Sequence, residues 1–153
     1  MHSPFRILWW LVFLYALYAL GVGAAVAEEK GCSPDQAKLA ESETDNLKTW
    51  ESVYSFYKRF APCDDGGVAE GVSDHVAKLF ANQWATVSGF VTLADNDQGF
   101  KKFVLRHVDA TIDWTHDGPK IRENARSHCP SNLNKLCKNL LQRAVPPREM
   151  GPK

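Results

Sequence analysis

The segment from residue 46 to residue 93 shows the clearest pattern of hydrophobic and polar positions in the chain. Before residue 62, hydrophobic side chains recur on one half of a helical wheel, and charged or hydroxyl side chains occupy the other half. After residue 67, hydrophobic side chains again recur at helical spacing. The pattern predicts two amphipathic helices, which must pack antiparallel because their connection is short. The hydrophobic positions are Leu47, Trp50, Val53, Tyr54, Phe56, Tyr57, Phe60 and Ala61, then Val68, Val72, Val76, Leu79, Phe80, Trp84, Val87, Phe90 and Val91.

The connection between these two helices, residues 62–67, is called the hinge below. Its sequence is Pro62-Cys63-Asp64-Asp65-Gly66-Gly67. Pro62 is expected to end the first helix, because a proline disfavours the α conformation in the residue before it. One of the two aspartates is expected to cap the second helix, and the glycines supply turn conformations.

Further helices are predicted on both sides of this pair. Ser33 and Pro34 mark a helix start, and this helix either continues to Ala61 or breaks between residues 42 and 46. Downstream, the pattern predicts a helix over residues 100–112, a weaker one around residues 120–128, and a last one over about residues 132–144. We therefore expect an all-α fold: a small bundle of four to five helices in a single domain, residues 28–145. A disordered tail, residues 146–153, is expected to follow.

The first 27 residues are predicted to be a signal peptide. Arg6 precedes an apolar run from Ile7 to Leu20, and Ala25-Val26-Ala27 matches the small-x-small pattern of a cleavage site. The alternative is an uncleaved membrane anchor, since residues 7–26 approach the roughly 20 residues that span a bilayer. Either way the body of the protein is exported. We expect it in the periplasm or secreted, with no membrane contact after cleavage.

Removal of this segment leaves 126 residues with 17 basic and 18 acidic side chains. A chain of this length suits one domain with its own core. The balanced charge gives no electrostatic reason to expect binding to nucleic acid or to an anionic membrane.

All four cysteines lie in the exported part, and an even number in an oxidising compartment predicts two disulfides. Three pairings of Cys32, Cys63, Cys129 and Cys137 are possible. If Ser131 caps the last helix, Cys129 precedes that helix and Cys137 lies well inside it, which places the two beyond disulfide reach. This reasoning leaves two pairings, in which each C-terminal cysteine bonds to one of the earlier pair. An up-down tracing of the helices favours Cys63 with Cys137 and Cys32 with Cys129. The spacing offers no C-x-x-C pair, so bridged cysteines are favoured over a zinc site.

His107 is the histidine with the most informative position, at the centre of the apolar face of the helix predicted over residues 100–112. There it is either a general base or a ligand, or a core histidine bonded to a tyrosine, an acid or the backbone; we favour the core histidine. Asp109, Asp113 and His116 offer oxygen and nitrogen donors at near-helical spacing, which suits a metal, but a solvated polar face explains them more simply. No nucleophile elbow, phosphate loop or His-Glu-x-x-His motif is present. An enzyme is therefore the weaker class, and we expect no catalytic residue, no metal and no cofactor.

The hinge is the best candidate for a functional surface. A disulfide at Cys63 would hold an acidic loop rigid at its base, and preorganisation lowers the entropic cost of binding. A small, exported, charge-neutral helical domain with two disulfides has the general profile of periplasmic inhibitors, including immunity proteins that block a cell-wall hydrolase. We therefore expect a binding protein of the inhibitor or immunity type, monomeric or homodimeric, acting on a protein partner. The expected partner-binding residues are Asp64, Asp65, Gly66, Gly67 and Glu70, with Phe56 and Tyr57 at an exposed edge of the aromatic stripe.

Two other functions remain open at this point. One is a small periplasmic enzyme or metal-binding protein centred on His107 or on Asp109, Asp113 and His116. The other is a structural subunit of an envelope complex.

Overall fold

The computed structural model describes residues 31–108 and 112–145. The predicted signal peptide at residues 1–27, Asp109, and the predicted tail at residues 146–153 lie outside these ranges. The described residues form seven α-helices joined by short 3-10 turns and loops, with no strand among them. The helices are α1 Pro34–Glu43, α2 Trp50–Phe60, α3 Gly66–Asn82, α4 Val87–Asn96, α5 Gln98–Arg106, α6 Asp117–Ser127 and α7 Asn134–Arg143.

The all-α class is confirmed, but the number of helices exceeds the four to five expected. One reason lies before the hinge, where the open question about Pro34 to Ala61 is settled in favour of a break. Ser33 forms a capping box with Gln36, and Thr49 forms a second one with Ser52. Each capping box satisfies backbone N–H groups that a helix start leaves without partners. Two such starts within one segment make two helices, α1 and α2.

The other reason lies after the hinge, where the single predicted helix is two. α3 ends at Asn82 and α4 begins at Val87, with a 3-10 turn between them. Two tryptophan N–H groups fix this break: Trp84 donates to the backbone oxygen of His128 at 2.9 Å, and Trp50 donates to the Thr86 hydroxyl at 3.1 Å. The apolar spacing continues through the break, so the sequence pattern did not reveal it.

The core is built around α2, α3, α4 and α5. The ring centroid of Trp50 lies 4.7 Å from that of Phe80 and 5.0 Å from that of Phe90. The ring centroids of Phe90 and Phe100 are 5.9 Å apart. These four rings are fully buried. α3 also packs along α6, and α6 packs along α7. The long helix α3 therefore has neighbours on both sides, and its N-terminus is the end that emerges at the hinge.

The two expected disulfides are present, but the favoured pairing is wrong. Cys32 bonds to Cys63, and Cys129 bonds to Cys137. The error came from the assumed start of the last helix. A 3-10 turn over Ser131–Leu133 delays that start to Asn134, so Cys137 lies in the first turn of α7. The Cα atoms of Cys129 and Cys137 are then 6.1 Å apart, within disulfide reach.

Candidate functional site at the hinge

The hinge joins the end of α2 to the start of α3 through a single 3-10 turn, Ala61–Cys63. Cys63 is buried and bonded to Cys32, which precedes α1. Gly66 has a φ of 51° and begins α3. This left-handed conformation is unfavourable for residues with a Cβ, which gives a physical reason for glycine at this position.

Asp64 points into the protein, although its sequence position suggested an exposed loop residue. Only 2% of its side chain is exposed. Its Oδ2 atom lies 3.2 Å from Nε2 of His107 and also accepts a hydrogen bond from the Arg106 guanidinium. No described residue donates a hydrogen bond to Oδ1, which is buried as well. The carboxylate thus fastens the hinge to the C-terminal end of α5.

His107 is buried, as its position on the apolar stripe predicts, and 3% of the residue is exposed. Its Nδ1 atom lies 2.9 Å from the hydroxyl oxygen of Ser73 in α3. Both contacts are hydrogen bonds in the His107 tautomer in which Nε2–H donates to Asp64 and Nδ1 accepts from the Ser73 hydroxyl. His107 therefore links three parts of the chain: the hinge, α3 and the end of α5. Sequence reasoning allowed an acid as the partner of His107 but did not identify Asp64.

A hydroxyl, an imidazole and a carboxylate in series are the groups that serine hydrolases use. Here the carboxylate lies on Nε2 and the hydroxyl on Nδ1, the reverse of the arrangement in the serine-protease triad. Ser73 is also only 3% exposed. A nucleophile must reach a substrate, and this hydroxyl is enclosed by protein. We therefore assign Asp64, His107 and Ser73 a positioning role, which is to hold the hinge.

The residues of the hinge that follow Asp64 are exposed to solvent, in contrast to Asp64 itself. Asp65, Gly66, Gly67 and Glu70 are all exposed. Asp65 precedes the first turn of α3, but its carboxylate accepts a hydrogen bond from the backbone N–H of Gly66 at 2.8 Å. An ordinary capping residue instead accepts one from the second or third residue of the helix. The acidic tip of the hinge is therefore in solvent while its base is buried.

Glu41 in α1 extends this acidic region, which no pattern in the sequence predicted. A carboxylate oxygen of Glu41 lies 3.1 Å from the position that a Cβ of Gly67 would take. It reaches this place because α1 and its following turn pack closely on α3, with Thr44 against Gly71. Glu41, Asp65 and Glu70 together are called the acidic surface below.

The two aromatic residues expected at a partner-binding edge are less accessible. Phe56 is only 3% exposed, and its ring lies 5.2 Å from Phe60. Tyr57 is half-buried, with its ring 5.1 Å from Phe103 and its hydroxyl against Gly99. Phe56 belongs to the core of the structure, and Tyr57 offers only part of its ring to solvent.

The candidate metal residues are only partly within the described chain. Asp113 accepts hydrogen bonds from the backbone N–H of Thr115 at 2.8 Å and from its hydroxyl at 2.6 Å, and lies 2.9 Å from Nδ1 of His116. The Thr115 donors, followed by His116, hold the pKa of Asp113 far below its ordinary value. Within residues 31–108 and 112–145, no group of three or more His, Cys, Asp or Glu side chains is arranged to hold a metal ion.

No protein-family model matches the chain, and no curated protein or solved structure matches it either. Among the described helices, none is both long and apolar enough to cross a membrane.

Proposed function

We propose that this protein is an exported inhibitor of the immunity type, which binds a protein partner such as a cell-wall hydrolase through its acidic surface. The observation that carries this proposal is the contrast between neighbouring aspartates. Asp64 is buried and fixed, whereas Asp65 beside it is exposed. The hinge is held rigid at Cys63 and Asp64 and carries an exposed charge at Asp65, a combination that is suited to insertion into a cleft.

Two independent constraints fix the base of the hinge. The Cys32–Cys63 disulfide ties it to the start of α1, and the Asp64–His107 contact ties it to the end of α5. A loop that is already ordered loses less conformational entropy on binding than a flexible one. The constraints therefore favour tight binding with few contacts.

The exposed charges indicate the kind of partner. Glu41, Asp65 and Glu70 come from two helices and the hinge, and all three are exposed. Electrostatic complementarity would direct such a surface to a basic cleft and would raise the association rate more than the affinity. A hydrolase whose substrate is anionic has a cleft of this kind.

The compartment agrees with the proposal. Two disulfides favour an oxidising compartment over the cytosol. Export to the periplasm or outside the cell is part of the proposal, as is removal of the predicted signal peptide.

The test is affinity capture from the envelope fraction of the cells that make the protein, followed by inhibition assays on the captured protein. The variant carries Glu41→Gln, Asp65→Ser and Glu70→Gln. It removes the three charges and places at residue 65 a serine, which is favoured before the start of a helix. The matched control carries Glu51→Gln, Asp95→Asn and Glu123→Gln, three exposed acids elsewhere on the described surface.

We expect the wild type and the control to capture and inhibit one hydrolase at a stoichiometric ratio. The acidic-surface variant should do so with an association rate lowered by at least about tenfold. Equal association rates for the two triple variants would exclude the acidic surface as the binding site. Capture of no hydrolase by the wild type would exclude the function itself.

A further inference from the structure

The sequence contains two Asp-Gly pairs, Asp65-Gly66 and Asp117-Gly118. In such a pair the backbone nitrogen of glycine can attack Cγ of the aspartic acid. An N–Cγ bond forms, the amide proton and the carboxyl OH leave as water, and a cyclic succinimide results. Water then adds to either carbonyl and gives aspartate or isoaspartate. Glycine permits this reaction because it has no Cβ to block the approach.

The surroundings of Asp65 favour this chemistry. Its side chain is exposed and already folded over the next peptide, with the carboxylate oxygen 2.8 Å from the Gly66 nitrogen. Apart from its chain neighbours and the backbone of α3, no atom of the described residues lies within 4 Å of the position that a Cβ of Gly66 would take. The peptide unit must rotate from the present Asp65 ψ of 160° to bring the nitrogen onto Cγ. Gly66 is exposed and has no side chain of its own to oppose this rotation.

The surroundings of Asp117 oppose it. Asp117 is only 7% exposed, and its carboxylate accepts a hydrogen bond from Asn82 at 3.4 Å. The Gly118 nitrogen donates to the backbone oxygen of Asp113 at 2.9 Å. The ring of Trp114 occupies the space beside Gly118, 2.4 Å from where a Cβ would lie. This nitrogen is held away from Cγ by its hydrogen bond and by the packing around it.

We propose that Asp65 is a site of spontaneous isomerisation to isoaspartate in the folded protein, while Asp117 is protected by the fold. The change places an extra methylene in the backbone between Asp65 and Gly66. It also displaces the carbonyl that accepts the first hydrogen bond of α3, from the Ala69 N–H at 3.3 Å. The product has the same mass and a remodelled acidic tip.

The consequence for binding rests on the proposed function. If the acidic surface binds a partner, isomerisation converts active molecules into inactive ones as the protein ages. The chemical modification itself does not depend on any partner.

The experiment is incubation of the folded, disulfide-bonded protein at mildly acidic and neutral pH, followed by reduction, tryptic digestion and quantification of isoaspartate. The peptide from Phe60 to Lys78 contains Asp65, and the peptide from His107 to Lys120 contains Asp117. Fragmentation assigns isoaspartate to a residue, and the succinimide is detected by its loss of one water. A chain unfolded in denaturant is incubated in parallel as the reference for two unprotected pairs.

We expect isoaspartate to accumulate at Asp65 several-fold faster than at Asp117 in the folded protein, and at similar rates for both in the unfolded chain. Equal rates at the two sites in the folded protein, or no isoaspartate at Asp65, would overturn the proposal. The Asp65→Asn variant is the positive control, because an asparagine forms the same succinimide with loss of ammonia.

The Asp65→Glu variant separates the two proposals, because it keeps the charge but lengthens the side chain and disfavours the five-membered ring. Its fresh preparation tests whether the charge supports binding. If aged wild type loses binding and aged Asp65→Glu keeps it, isomerisation is the cause. If isoaspartate forms but neither aged protein changes in binding, the modification stands and its link to the acidic surface fails.

Discussion

The carboxylate of Asp64 and the imidazole of His107 lie 3.2 Å apart, and both side chains are almost entirely removed from solvent. Isolated buried charges are costly, so a buried carboxylate is found where hydrogen bonds or charges compensate it. The partners here come from the end of α5, 42 and 43 residues further along the chain. This contact is therefore a long-range tertiary interaction that holds the hinge against the end of α5.

We predict that Asp64→Ala lowers the free energy of unfolding by about 1.5–3 kcal/mol, because the buried Nε2–H of His107 loses the carboxylate that accepts its hydrogen bond. Chemical denaturation measured by circular dichroism gives this value. The matched control is Asp65→Ser, which alters the exposed neighbour and should change stability by no more than about 0.5 kcal/mol. Similar losses for both variants would mean that Asp64 does not fasten the hinge.

Asp64 is buried and Asp65 is exposed, and this difference could not be predicted from the sequence. The helix start at Ser33 and Pro34 follows from local chemistry, and the burial of His107 follows from its place in an apolar stripe. Two consecutive aspartates carry no local signal that tells which one turns inward. That choice is made by Arg106 and His107, which reach the hinge only when α5 packs against it.

Three further features depended on information that is not local. Hydrophobic periodicity shows which way side chains point, but it does not show whether the backbone of a helix is continuous. The helical spacing of apolar residues continues through the break between α3 and α4, so the pattern did not reveal that break. The disulfide pairing depended on whether the last helix starts near Ser131 or at Asn134, a difference of less than one turn. Glu41 joined the acidic surface only through the packing of α1 on α3.

The two disulfides should differ in their contribution to stability. The Cys32–Cys63 bond closes 31 residues of chain and the Cys129–Cys137 bond closes 8. In the chain-entropy description a loop of 15 residues gives about 3 kcal/mol and one of 100 about 4.7 kcal/mol. We therefore expect the double variant Cys32→Ser, Cys63→Ser to lose about 3–4 kcal/mol, and Cys129→Ser, Cys137→Ser to lose about 1 kcal/mol less.

Denaturant titration of both double variants checks this order. Digestion of the wild type without reduction checks the pairing itself, because it should yield cross-linked peptides that join Cys32 to Cys63. A cross-linked peptide that joins Cys63 to Cys137 would contradict the structure.

Gly71 should be required for the packing of α1 on α3. A Cβ at this position would lie 2.9 Å from both the Cβ and the hydroxyl oxygen of Thr44. Thr44 is itself buried, so neither side can move freely. We predict that Gly71→Ala lowers the free energy of unfolding by about 1–3 kcal/mol through overpacking, and that it weakens partner binding by displacing Glu41.

Gly89 in α4 is the matched control for Gly71. A Cβ there would meet its nearest neighbours, Glu51 and Trp50, at 3.8 Å, which is ordinary van der Waals contact. Because alanine is the better helix former, Gly89→Ala should raise stability by roughly 0.5–1 kcal/mol. Thermal melts of the two variants should move in opposite directions, and a stabilised Gly71→Ala would refute the close packing of α1.

Stability in acid should depend on two carboxylates whose pKa values are lowered in the folded protein. The backbone N–H of Phe100 donates to Asp97 at 3.0 Å, and the nearby Lys58 ammonium adds to the lowering of its pKa from 3.8. The Thr115 hydroxyl and N–H lower the pKa of Asp113 in the same way. A carboxylate with a lowered pKa stabilises the fold fully above its unfolded value, and this contribution is lost as the pH falls towards its folded value.

We therefore expect the free energy of unfolding to fall as the pH drops below about 4, where the unfolded chain begins to take up these protons. Asp97→Asn and Asp113→Asn should each reduce stability at neutral pH and make the acid dependence shallower, because the variant side chain no longer titrates. Denaturation midpoints measured from pH 2 to pH 7 give the comparison, with the exposed Asp95→Asn as a charge-matched control. If the variants at Asp97 and Asp113 kept the wild-type slope, these two carboxylates would not be the source of the acid sensitivity.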